Sequence, residues 1–213
     1  MSADKLISAL EQSGVEVVIV VETHIRLNTL SKLFCSCDTS ETDEPNINIC
    51  PVCTGQMGVL PSVNREAVRK AILLGKALGA DIPDTISWDR KHYEYPDLPK
   101  NYQLTQFHKP VIRGGKVNCF REDGTLFSVE IEQAHIEEDA AKLIHEKSFT
   151  LVDFNKSGVP LVEIVTKPCI FNIKDASIYA HYLRRLVQSL GISGANLERG
   201  EFKSDVSVSL RLK

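Results

Sequence analysis

The chain has 213 residues, 43% of them hydrophobic and 25% charged, with a formal net charge of -3. This composition fits an ordinary globular chain rather than a disordered one and gives no global electrostatic pull toward nucleic acid, so any RNA contact has to be local or supplied elsewhere. Its length suits one packed domain, or two closely packed ones.

In chain order, Val15 to Val21 reads as a buried strand. It is about a third of a membrane span and is broken by Glu16. No signal-peptide pattern precedes it, so the chain is expected to stay in the compartment where it is made, without a membrane. Asn28 to Pro61 shows little periodicity and carries Cys35, Cys37, Cys50 and Cys53 as C-x-C and C-x2-C, twelve residues apart. Paired thiolates on two short hairpins suit one closed, tetrahedral structural zinc site; the alternatives are four small buried residues or a redox pair. Cys119 and Cys169 are isolated and read as core packing.

From Ser62, the residues Val63, Ala67, Val68, Ala71, Ile72, Leu74, Gly75 and Leu78 recur at helical spacing until Gly79 and Pro83. A polar, aromatic stretch from Trp88 to Phe107 follows. Strands are then expected at Lys116–Phe120, Leu126–Ile131, Ser148–Asp153, Leu161–Thr166 and Val206–Leu212, with turns at Arg113-Gly114-Gly115 and Asp123-Gly124. A second helix is expected from Asp175 to about Leu190, stopped by Gly191. Helices interspersed among largely antiparallel strands predict an α+β fold rather than a doubly wound sheet.

Chemistry is suggested where polar groups interrupt these patterns. Glu22 and His24, two apart on a strand, share a face. His135, Glu137 and Glu138 form a second group, with Asp139 and Lys142 beyond. Carboxylates with histidine suit Mg²⁺ bridging nucleotide phosphates; a hydrogen-bonded strand histidine and a solvated acidic turn are the structural alternatives. Arg90, Lys91, Tyr93, Tyr95, Lys100 and Tyr102 place cations beside aromatic faces, suited to phosphate or a nucleic-acid end, or to a surface loop covering a sheet. Neither a phosphate loop of the G-x-x-x-x-G-K-[ST] type nor a G-x-G-x-x-G turn occurs.

The segments VETHIRLNTLSKLFC, EPNINICPVCTGQMGVLP, WDRKHYEYPDLPKNYQLTQF, AHIEEDAAKL, DFNKSGVPLVEIV and SDVSVSLR stand in this order from about Val17 to Arg211. Through them the chain resembles the N-terminal catalytic region of the GatB family, the B subunits of the tRNA-dependent amidotransferases. The resemblance implies a glutamine synthetase-like catalytic domain, an antiparallel sheet cradle with flanking helices, over residues 1–213, with a zinc-knuckle insertion at 34–54. Relative to the family, the chain is expected to lack the C-terminal helical and tRNA-binding tail domains.

The resemblance implies ATP-dependent phosphorylation of the side-chain carboxylate of misacylated Glu-tRNA(Gln) or Asp-tRNA(Asn), followed by amidation with ammonia from a glutaminase subunit. The implied partners are subunits A and C and the misacylated tRNA, and the implied cofactors are ATP, Mg²⁺ and structural Zn²⁺. The implied compartment is the cytoplasm, or a mitochondrial or plastid matrix. By motif, Glu22, His24, Glu137 and Glu138 are expected as catalytic magnesium ligands. Arg90, Lys91, Tyr93 and Lys142 are expected to face phosphates or the acceptor end, and Cys35, Cys37, Cys50 and Cys53 to hold zinc. Asn155, Gly158, Pro160 and Glu163 are assigned backbone shaping and site support. Departures from the family pattern fall at Val20, Val21, Thr23, His92, Glu94, Ala141, Arg199 and Lys203. A non-catalytic assembly module and a purely structural zinc domain are the alternatives.

Overall fold

The computed structural model describes residues 12–212. Ten strands and two helices follow in the order β1 (Val15–Arg26), α1 (Arg65–Ala77), β2 (Asp89–His92), β3 (Tyr102–Thr105), β4 (Ile112–Arg113), β5 (Lys116–Phe120), β6 (Leu126–Glu138), β7 (Lys142–His145), β8 (Thr150–Asp153), β9 (Pro160–Thr166), α2 (Ile173–Ser189) and β10 (Phe202–Leu212) among the described residues. The main sheet is antiparallel, in the order β10-β1-β9-β6-β4, with β5 paired to the first half of β6. Two hairpins, β2-β3 and β7-β8, stand outside it. The mixed α+β class with antiparallel pairing agrees with the sequence reading.

Alternation explains how the sheet divides its two faces. On β1, Val17, Ile19, Val21, Thr23 and Ile25 are buried, and they share a core with Ala134 and Ile136 of β6 and Val162 and Ile164 of β9. Helix α1 adds Ala67, Ala71 and Leu74 to this core, and α2 adds Tyr179, Leu183 and Val187. The opposite face carries Glu22, His24 and Arg26 from β1, with Glu163 and Glu137 from the neighbouring strands. That polar face is the floor of the site.

Both helices begin two or three residues from where periodicity placed them, at asparagine caps. Asn64 accepts from the backbone N–H groups of Glu66 and Ala67, and Asn172 accepts from that of Lys174. Each cap satisfies donors that a helix start leaves unpaired. At its far end α1 approaches the sheet closely: a Cβ added at Gly75 would lie 2.9 Å from Ile112 Cγ1. Strand β6 continues past Ile131 through an irregularity before Gln133, which lets its first half serve β5 and its second half serve β9.

Candidate active site and metal centre

One row of side chains crosses four strands on the polar face. His24 of β1 is the Cα partner of Lys203 on β10 and of Glu163 on β9, and Glu163 is the partner of His135 on β6. Glu137 stands two residues beyond His135 on the same face. These registers bring His24 Nε2 to 3.0 Å from Glu163 Oε2 and 3.4 Å from Glu137 Oε1. His135 Nε2 lies 3.4 Å from Glu137 Oε2 and 3.7 Å from Glu163 Oε2.

The electrostatics follow from this packing. Hydrogen bonds to Glu137 and then Glu163 push His24 up to about 10 against its own burial, so its imidazole is charged across the neutral range. Burial of Glu137 by itself pushes its carboxyl up, but the His135 and His24 imidazoles outweigh that and hold it down at about 2. Glu137 Oε2 and His135 Nδ1 are nevertheless buried without hydrogen-bond partners. His24, Glu137 and Glu163 each offer a ligand atom within 4.8 Å of the others. Unsatisfied carboxylate oxygen beside a displaceable imidazolium proton fits a divalent cation.

The sequence-predicted residues divide around this cluster. His24 and Glu137 are in it. Glu163, expected only to support the site, joins them directly; its signal was a lone carboxylate between Val162 and Ile164 of an apolar strand. Glu22 shares the face of His24 but pairs in register with Asp205 and Val165, outside the cluster. Glu138, adjacent to Glu137 and therefore turned the other way, is buried and held by Lys100 Nζ at 2.5 Å and by the Leu104 backbone N–H at 3.1 Å. Lys91 and Tyr93 border a cavity of about 320 Å³ with His24, Glu137, Leu98 and Leu161, and Glu138 and Asp139 reach its lining too. Tyr93 stacks on Tyr95, with ring centroids 5.8 Å apart. Arg90 lies over the Tyr102 ring at 5.2 Å. Lys142 borders a different, larger cavity, with Arg26, Lys156, Arg199 and Lys203.

The four cysteines gather as their spacing predicts. Their sulfurs lie within 4.8 Å of one another, with Cys53 Sγ 3.9 Å from Cys50 Sγ and 4.0 Å from Cys37 Sγ. Tetrahedral Zn–S bonds of about 2.3 Å place sulfurs about 3.8 Å apart, so the cluster fits zinc closely. A hydrogen bond from Cys35 holds the Cys53 thiol well below the usual thiol range, aided by the Cys50 backbone N–H and the charge of Lys32, while Cys35 itself is pushed up. Lys32, fully buried, donates to Cys53 Sγ at 3.5 Å and to the Phe154 carbonyl at 3.1 Å. The sequence reading passed over this lysine.

The cysteine loop docks on the turn after β8. The Asn46 backbone N–H donates to Asp153 at 3.2 Å, and the Phe154 N–H donates to the Asn46 side chain at 2.7 Å. Asn155 receives the Asn48 N–H at 2.9 Å and donates to the Glu44 carbonyl at 2.8 Å. Gly158, at φ +84°, carries the following turn between Cys53, Lys32 and Glu138, a conformation that disfavours any other residue. The cysteine loop is thus fastened to the same turn that leads into β9 and Glu163.

Known proteins resemble the chain over nearly its whole length. Residues 17–213 match the family model described as the GatB/GatE catalytic domain. The chain is 48% identical over 198 residues to the B subunit of the aspartyl/glutamyl-tRNA(Asn/Gln) amidotransferase of Helicobacter pylori, covering 93% of this chain and 42% of that protein. It is 50% identical over 196 residues to the protein of the same name from Chlamydia caviae, covering 92% and 40%. With that of Crocosphaera subtropica the identity is 46% over 208 residues, covering 92% and 42%. The chain therefore spans about two fifths of the length of the curated relatives it matches. Matched over nearly its whole length, the chain belongs to the GatB/GatE catalytic-domain family.

Proposed function

We propose that the chain is the carboxylate-activating part of a tRNA-dependent amidotransferase. It phosphorylates the side-chain carboxylate of Glu-tRNA(Gln) or Asp-tRNA(Asn) with ATP, and ammonia from a glutaminase subunit then displaces the phosphate to leave the amide. Its partners in this reading are subunits A and C, in the cytoplasm or an organelle matrix. The observation that carries the proposal is the convergence of His24, Glu137 and Glu163 beside the cavity bordered by Lys91 and Tyr93.

A carboxylate is a poor acyl donor because its leaving group would be oxide; transfer of the γ-phosphoryl group converts that oxygen into phosphate. The site has to hold several anionic groups together in line. Glu137 and Glu163 would hold Mg²⁺ with His24, and the ion would neutralise charge on the transferred phosphoryl group. Tyr93 offers a face on which the adenine stacks, and Leu98 and Leu161 complete an apolar wall. Lys91 stands at the same rim, placed to meet phosphate oxygens. The strand positions of the ligands keep this arrangement fixed before substrate arrives, so little reorganisation is needed during transfer.

The cysteine loop serves structure in this reading. Zinc held by Cys35, Cys37, Cys50 and Cys53 stiffens the loop that docks on Asp153 to Asn155, and supplies no group to the reaction.

The test combines the chain with subunits A and C and follows ATP-dependent amidation of Glu-tRNA and Asp-tRNA, with Mg²⁺-dependent ATP binding measured separately. Glu137→Gln and Glu163→Gln are expected to abolish amidation and weaken Mg²⁺-dependent ATP binding at least tenfold. Unchanged binding and amidation in both variants would overturn the assignment.

A further inference from the structure

Four residues that border the 320 Å³ cavity, Lys91, Tyr93, Leu98 and Gln103, belong to the β2-β3 hairpin and the loop at its tip. This hairpin is a separate two-stranded sheet, so no ladder of the main sheet fixes where it stands. Internal bonds make it a unit: the Tyr93 N–H donates to the Asn101 carbonyl at 3.2 Å, and Asp89 receives the Phe107 N–H at 2.7 Å. A lone pair of strands is marginally stable in water, so the position of this cavity wall depends on what packs against the hairpin.

On one side that support is β6. Gln103 donates to the Glu138 carbonyl at 2.6 Å, and the Glu138 carboxylate receives the Leu104 N–H at 3.1 Å and Lys100 Nζ at 2.5 Å. On the other side it is the cysteine loop, at two points. Phe34, next to Cys35, meets Trp88, the residue before β2, edge to face with ring centroids 5.0 Å apart. Gly55, two residues after Cys53, lies against the turn before β3: a Cβ there would stand 2.7 Å from Lys100 Cγ and 2.9 Å from the Pro99 carbonyl oxygen. The second contact is with backbone, so no change of rotamer relieves it and the turn itself would have to shift. Gly58 of the same loop is also left-handed, at φ +87° against +71° for Gly55, yet nothing lies within 4 Å of its Cβ position.

We propose that the cysteine loop positions the nucleotide wall: with its four cysteines closed on zinc, Phe34 and Gly55 back the β2-β3 hairpin against β6 and hold Lys91 and Tyr93 at the cavity they share with His24 and Glu137. Zinc and Mg²⁺-ATP then bind cooperatively, each tightening the other by the same factor. Phe34 and Gly55 are positioning residues, acting through Trp88 and the Pro99-Lys100 turn. The proposal rests on the nucleotide assigned to this cavity above.

The test titrates the chain with Mg²⁺-ATP by calorimetry, with zinc bound and after zinc extraction, while fluorescence of Trp88, the single tryptophan of the sequence, follows the Phe34 contact. Zinc extraction is expected to shift Trp88 emission and to weaken Mg²⁺-ATP binding about tenfold, and saturating Mg²⁺-ATP to tighten zinc binding, read by chelator competition, by the same factor. Gly55→Ala with its zinc still bound is expected to show a comparable loss of Mg²⁺-ATP affinity, and Gly58→Ala none, although both put alanine in left-handed backbone. Hydrogen exchange across residues 89–105 is expected to rise on zinc extraction. Mg²⁺-ATP affinity indifferent to zinc, or equal losses in the two glycine variants, overturns the proposal. So does exchange in the hairpin that zinc extraction leaves unchanged. A wild-type chain that binds no Mg²⁺-ATP, but whose hairpin exchange still depends on zinc, would instead count against the nucleotide assignment and leave the positioning by the loop standing.

Discussion

The Lys32 ammonium stands 3.5 Å from Cys53 Sγ and both residues are buried, so a cation is built against the inner side of the cysteine cluster. Four thiolates on one Zn²⁺ leave two net negative charges, and a buried anion needs a nearby cation or donor. Lys32→Met keeps most of the side-chain volume and removes the charge. The expected result is a fall in zinc affinity of about tenfold or more, the scale of a lost partner to a metal ligand. Competition with a chromogenic chelator measures it.

Removing the metal should act through the docked turn. Chelation is expected to lower the melting midpoint and to raise hydrogen exchange at Asn46, Asn48 and residues 153–158, which the loop's hydrogen bonds hold. Exchange within the second half of β6 should change little. A protection map unaltered by chelation, in protein shown to have contained zinc, would contradict this coupling.

The paired imidazolium and carboxylate predict a bounded range of pH stability for the metal-free chain. His24 is raised from 6.5 to about 10, so its contribution is complete below 6.5 and is lost as pH rises through about 10. Glu137 is lowered from 4.5 to about 2, so its contribution is complete above 4.5 and is lost as pH falls through about 2. Both contributions are therefore complete between these limits, from 4.5 to 6.5. Melting midpoints measured across pH should fall on either side, and His24→Gln should flatten the alkaline limb. Since a cation bound there displaces the His24 proton, its affinity should rise with pH by up to about tenfold per unit.

Glu137 and Glu138 should separate in experiment although they adjoin in sequence. Glu138→Ala strands Lys100 inside the fold, and breaking a buried pair from one side costs about 3–5 kcal/mol. Its denaturation midpoint should drop markedly. Glu137→Gln removes a carboxylate of the proposed Mg²⁺ site and is expected to impair Mg²⁺ binding as well as to remove the acid limb of stability assigned to Glu137.

Helix α1 offers a packing test away from the site. Gly75→Val puts a branched side chain where even a Cβ meets Ile112 at 2.9 Å. Overpacking is expected to lower stability by about 1–3 kcal/mol in urea denaturation, despite the helix propensity gained over glycine.

Periodicity and motif order exposed the helices, most strands and the cysteine cluster, because those depend on local spacing. The polar ends of strands were harder. β1 runs on to Arg26 and β6 to Glu138, well past their apolar runs, because pairing with β9 and β10 holds residues whose own pattern does not demand a strand. Hairpin β2-β3 was hidden in a stretch whose polarity read as loop, and β7 went unnoticed beside its partner. Glu163 entered the cluster through register alone, a relationship that no single strand carries. Lys32 was invisible for the opposite reason: a lysine in a loop is ordinarily solvated, and only the tertiary meeting of the cysteine loop with Phe154 buries it.

The row from Lys203 through His24 and Glu163 to His135 also bears on selectivity among ions. Neighbouring strands stand about 4.8 Å apart, a spacing fixed by backbone hydrogen bonds that no side-chain rotation alters. The aperture available to a cation is consequently gauged by the sheet, and only side-chain length trims it. Shortening Glu163 by one methylene cannot be recovered by a backbone shift without breaking the ladders to β1 and β6 on both sides. Ionic radius would then decide which divalent metals this polar face of the sheet accepts.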